Sequence, residues 1–143
     1  MDARFVTSLD MRKIGAQRWL LLDDLVFQSV ELNGLLIAPR GFQTDLASIP
    51  RALWAVFPKE DVYDQAAVIH DGAYGHALLT RGQQRVEVVK PVADRLFYEA
   101  MLACGFGKVR AQLLYRAVSL FGNPAAHPLA DNQLEWAHKV GVE

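Results

Sequence analysis

The sequence predicts an α+β fold, a small N-terminal antiparallel β-sheet followed by a helical C-terminal half in a single domain. Three observations carry this expectation. The first forty residues alternate short apolar runs with turn residues, and the period becomes helical after Pro50. No repeat, low-complexity stretch or linker divides the 143 residues. Residues 1–143 are therefore read as one unit, mainly β over about 1–45, mainly α over about 48–122, with a tail at 123–143 that ends in a short helix.

The β half begins with "RFVTSLDMRKI", which is short and mixed. "RWLLLDDLVFQSV" holds two apolar runs broken by Asp23 and Asp24, a turn between strands. "VELNGLLIAP" places Asn33-Gly34 between apolar flanks, a strong short-range hairpin signal, and Pro39 with Gly41 marks the next turn. Together these runs suggest an antiparallel sheet or a barrel-like meander.

The helical half opens at Ser48 and Pro50, a capping residue with a proline in the first turn, so "RALWAVF" reads as a short helix closed by Pro58. Asp64 is a candidate N-cap for a helix reaching about Leu79. Gly72 and Gly75 weaken that helix by roughly 1 kcal/mol each relative to Ala, which suggests that another backbone or a ligand packs close there. "TRGQQRVEVVK" is a polar connection with a small extension at Val86 to Val89. Pro91 can open a helix through Met101 or Cys104, stopped by Gly105 and Gly107. "KVRAQLLYRAVSLFG" is a further amphipathic helix ending at Gly122.

Composition narrows the function classes. A hydrophobic share of 52% with 22% charged residues is that of an ordinary globular protein, and a net charge of −1 argues against nucleic acid as a partner. Charge is uneven. Residues 21–64 carry seven acids against Arg40, Arg51 and Lys59, whereas residues 81–116 carry seven bases against Glu87, Asp94 and Glu99. Complementarity within the domain accounts for that asymmetry. The lone Cys104 allows no intrachain disulfide and reads as a small core hydrophobe. No signal segment opens the chain and no run reaches the ~18 apolar residues of a membrane span, so the expectation is a protein of the cytoplasm.

Four side chains invite a chemical reading: His70, Asp71, Tyr74 and Asp94. His70 and Tyr74 stand four apart, on one face of their helix. An imidazole takes a proton near neutral pH and works as a general base when its second nitrogen is held by an acceptor, for which Asp94 is the candidate. Asp71 could ligate a hard cation, with Asp45 beside Thr44 and Ser48 as a second carboxylate; calcium or zinc is the cofactor such a pair would take. Three carboxylates and an imidazole buried together are costly unless protonated, paired or metal-bound, and Arg51 and Arg95 are the candidate partners. The structural alternative is plain: a His satisfied by an Asp of a neighbouring helix, and a Thr44–Ser48 segment that caps and turns. Trp54, Phe57, Phe97 and Met101 read as core, His76 as lying near its helix end, and His127 and His138 as surface residues. Zinc-deaminase, nuclease and P-loop patterns are missing, as is any motif for a covalent nucleophile.

"GFQTDLASIPRALW", "AAVIHDGAYGH" and "TRGQQ…ADRLFYEAM" together resemble the phage and prophage family called domain of unknown function 1353, over about residues 30–122. The resemblance implies a phage-derived origin near structural or lysis genes, with other phage proteins as partners, a homo-oligomer as an option, and incorporation in the virion. It implies no activity. A second resemblance is to secreted phospholipases A2, through "HDGAY" and "ADRLFYEAM". It implies that His70 activates water, that Asp71 binds calcium, and that Asp94 with Tyr74 orients the imidazole. The chain departs from those enzymes in having no disulfides, no glycine-rich calcium loop and a shorter spacing from the His to the second Asp.

Two functions follow. A virion, tail or assembly protein would seal the polar cluster under Trp54, Phe57 and Phe97 as a lock between helices and sheet. A His-Asp hydrolase acting on ester or amide bonds of lipid or cell-wall material would hydrogen-bond His70 to Asp94 at the floor of a cleft also reached by Asp45 and Asp71.

Overall fold

The computed structural model describes residues 2–16, 18–45 and 61–122. The helix expected at "RALWAVF", the core roles of Trp54 and Phe57, Arg51, His127, His138 and the C-terminal helix lie outside these residues.

The described chain is α+β. Its strands are β1 (Arg4–Phe5), β2 (Met11–Gly15), β3 (Arg18–Leu21), β4 (Leu25–Ser29), β5 (Gly34–Ala38), β6 (Gln43–Thr44) and β7 (Leu79–Thr80), and its helices α1 (Asp61–Tyr74), α2 (Lys90–Ala103) and α3 (Lys108–Phe121). The strands form two antiparallel sheets, ordered β1-β4-β5-β7 and β2-β3-β6. Asp23 and Asp24 turn the chain from the second sheet into the first, and Asp24 Oδ1 accepts the Arg40 amide at 2.8 Å.

The Asn33-Gly34 hairpin joins β4 to β5, with Ser29 facing Gly34. Asn33 takes the left-handed conformation at φ 55°, and its amide closes the loop on the Val30 carbonyl. A helix helps to hold this loop. Glu99 of α2 accepts the Ser29 hydroxyl at 2.8 Å and the amides of Val30 and Glu31. This bond set fastens the first sheet to α2.

Helix α1 departs from the sequence expectation at both ends. It begins at Asp61, so Asp64 lies inside it rather than capping it. It stops at Tyr74 because His76 turns left-handed, at φ 52°, and Leu79–Thr80 leave to pair with β5. His76 therefore stands beyond the helix end. The extension expected at Val86–Val89 shrinks to a single bridge between Leu79 and Arg85, with Val86 bonded to the Leu78 carbonyl. Pro91 opens α2 as its position suggests, and α3 runs over the expected stretch.

One apolar core links both halves. Phe27, Leu21 and Leu25 from the strands are buried with Ile69, Leu78, Leu96, Phe97, Met101 and Leu114 from the helical half. Each such side chain contributes roughly 1.5–3 kcal/mol when fully buried. The glycine cost in α1 has a structural cause: a Cβ on Gly72 would lie 2.6 Å from Leu78 Cδ2 and 3.7 Å from Phe42 Cε2. What approaches Gly72 is the protein's own core, the side chains of Leu78 and Phe42. Among the described residues no helix is long and apolar enough to cross a membrane.

Candidate functional site

The site is built where α1 packs on α2. His70 and Tyr74 share one face of α1, and Lys90, Asp94 and Phe97 recur on one face of α2 at spacings of four and three. Burying both faces brings the polar residues together inside apolar surroundings. His70 and Asp94 are each 1% exposed, with Phe97 fully buried beside them. The His70 ring stacks on Phe97 at 4.6 Å between centroids and meets the Tyr74 ring at 4.1 Å.

Asp94 is the hub. Its Oδ1 lies 2.9 Å from His70 Nε2 and accepts the Tyr74 hydroxyl at 2.5 Å; its Oδ2 accepts Lys90 Nζ at 2.6 Å. Burial pushes the Asp94 carboxyl up. Hydrogen bonds from His70, Lys90 and Tyr74, with the charge of His70, outweigh burial and hold it below the usual carboxylate range. Asp94 is therefore an ionised, acceptor-only group, and the shared proton sits on His70 Nε2. Nδ1 is then the ring's proton acceptor whenever the imidazole is neutral, and it too is buried. Burial, followed by the bond to Asp94 and the charges of Asp94 and Asp71, pushes the Tyr74 hydroxyl far up. Tyr74 therefore stays a neutral donor.

Asp71 engages the sheet. It is 4% exposed, and its Oδ2 accepts the Thr44 hydroxyl at 2.5 Å. Thr44, the first residue of the TDLAS segment, is thus a neighbour of the His-Asp helix, as the sequence suggests. Asp45, one residue on, is exposed. One set of bonds surrounds Asp94, and another joins Thr44 to Asp71. Among the described residues no set of three or more His, Cys, Asp and Glu side chains converges as metal ligands.

Two assignments change. Arg95, expected to neutralise the cluster, faces outward and pairs with Glu31 at 2.6 Å, where Arg95 is 46% exposed. Among the described residues Lys90 is the cation bonded to Asp94, which sequence reasoning missed, although its position four residues before Asp94 was a visible signal. Cys104 is half-buried, and burial pushes its thiol up to about 11, so it is no ready nucleophile.

A protein family described as "Protein of unknown function (DUF1353)" matches residues 19–118, a span that includes Thr44, His70, Asp71, Tyr74, Lys90 and Asp94. A curated relative, "Uncharacterized protein y4iH" of Sinorhizobium fredii (strain NBRC 101917 / NGR234), is 38% identical over 99 residues. That alignment covers 67% of this chain and 38% of the relative, so this chain spans well under half of the relative's length. No solved structure matches the chain.

Proposed function

This chain belongs to the DUF1353 family, whose description assigns no chemistry, and from the site itself we propose a hydrolase in which His70 is the general base for attack of water on ester or amide bonds. The observation that carries the proposal is the fixing of His70. Asp94 takes its Nε2 proton at 2.9 Å, Phe97 stacks on its face, and Tyr74 shares the same carboxylate oxygen. An imidazole so held keeps one tautomer and directs Nδ1 as the base. In the reaction Nδ1 takes a proton from water as the oxygen adds to the carbonyl carbon. Asp94 stabilises the imidazolium, and the proton passes to the departing alkoxide or amine. The substrate class is lipid or cell-wall material, in a protein of phage origin that works with other phage proteins in the host cytoplasm or the virion.

Asp71 with Asp45 is the pair that would hold calcium or zinc. One Asp71 oxygen already accepts from Thr44, and a calcium shell needs roughly 6–8 oxygens.

Burial favours a second reading, a virion, tail or assembly protein in which the same network is only a lock. At 1% exposure His70 meets substrate only if what covers it is displaced. A panel of simple esters, phospholipid vesicles and peptidoglycan separates the two. The hydrolase reading expects turnover on one class, reduced roughly 10²-fold or more in folded His70→Asn. If the native protein turns over none of them, the lock reading stands.

A further inference from the structure

We infer that Lys90 is a positioning residue of the His70 centre, anchored on the end of α3 so that its ammonium holds the Asp94 carboxylate and keeps Oδ1 on the imidazole. The catalytic meaning of this assignment rests on the hydrolase reading; the geometry does not.

Local helix energetics give no reason for a lysine here. Lys90 is the first residue of α2, and the first turn carries no acid. A cation at a helix N-terminus meets the positive end of the helix dipole. The order Lys then Asp at four residues is also the weaker orientation of such a pair. Tertiary partners supply the reason. The last turn of α3 has no basic residue, and Lys90 Nζ donates across to its Val118 and Ser119 carbonyls at 2.9 and 3.0 Å. The Ser119 carbonyl is among the last of the helix, where intrahelical donors run out, and the Val118 carbonyl, which already accepts the Gly122 amide, takes Lys90 as a second donor. With Asp94 Oδ2 at 2.6 Å as the third acceptor, all three ammonium protons are used. Lys90 is 27% exposed and Asp94 only 1%, so the lysine closes the network at its outer side.

The consequence reaches the imidazole through the carboxylate. The terminal torsion of an aspartate is soft, and two donors on Oδ1 alone leave Oδ2 free to swing. The bond from Lys90 fixes the second oxygen and so the plane of the group. The end of α3 touches the same assembly again at Gly122, where a Cβ would collide with the Tyr74 hydroxyl and the Val118 carbonyl. One helix end therefore supports both the cation and the phenol that flank Asp94.

The test reads the His70 ring by proton–nitrogen NMR with labelled histidine, beside turnover. In the native chain a slowly exchanging Nε2 proton is expected; a ring protonated at Nδ1 with a bare Nε2 overturns the inference without any variant. In Lys90→Met that proton exchanges faster by roughly tenfold or more and kcat falls with KM little changed, whereas Lys90→Arg restores both. Leu114→Ala, which removes a buried apolar side chain of α3 and none of the hydrogen-bonding groups, lowers stability and leaves the ring signal alone. A folded Lys90→Met with an unchanged Nε2 signal reduces Lys90 to a clamp between helices and overturns the assignment, whatever the turnover. Lack of turnover in the native chain, with a ring signal that still follows Lys90, removes the hydrolase reading and leaves the positioning role.

Discussion

Replacing Asp94 with asparagine keeps the volume of the side chain and removes its charge. The amide must turn its oxygen towards either Lys90 or the pair His70 and Tyr74, because one side now presents N–H groups to donors. Truncating one partner of a buried ion pair costs about 3–5 kcal/mol, and a hydrogen bond to a charged group about 1.5–3 kcal/mol. Lys90 is 27% exposed and recovers some hydration, which points to the lower end, about 3 kcal/mol. With a urea slope of roughly 2 kcal/mol/M, the unfolding midpoint falls by about 1.5 M at unchanged slope. Adding Lys90→Met to Asp94→Asn should return part of the loss, since no uncompensated charge remains. A loss under about 1 kcal/mol for Asp94→Asn, measured by circular dichroism in urea, would refute the description of Asp94 as the hub of the helical half.

Two further outcomes follow from the same geometry. Asp94 is held below its unfolded value of about 3.9, so its contribution is complete above that value and is lost as pH falls through the native one. Melting points from pH 3 to 7 should fall on the acid side, and the fall should be shallower in Asp94→Asn; equal acid slopes would contradict this. Gly72→Ala gains roughly 1 kcal/mol of helix propensity but sets a methyl 2.6 Å from Leu78 Cδ2 and 3.0 Å from its Cγ. Overpacking of about 1–3 kcal/mol should win, and a melt showing net stabilisation would mean that Leu78 moves freely aside.

Much of the fold could be read where local chemistry decides. Asn33-Gly34 marks a turn whether or not Glu99 later binds it, and Pro91 opens α2 by its own ring geometry. The end of α1 was less legible, because β5 captures Leu79 and Thr80 from across the fold. Helical spacing put His70 and Tyr74 on one face, and Asp94 was the acceptor expected from the following helix. Its cation was less legible. Arg95 sits about 100° round the helix from Asp94 and faces the hairpin, where it pairs with Glu31. The value of Lys90 depends on α3 carbonyls 28 and 29 residues away, which no local pattern announces. Thr44 is buried and bonds Asp71, a contact that its place at the end of β6 does not announce, while Asp45 beyond the strand is exposed.

The central claim is that His70 is a reachable base, and alkylation by phenacyl bromide tests it without knowledge of the substrate. Mass spectrometry of the native, folded protein should find an adduct on buried His70, formed more slowly than on exposed His76, with the rate at His70 reduced in Asp94→Asn. Labelling of His76 alone, with His70 reacting only after unfolding, would contradict the hydrolase and leave the network as a lock.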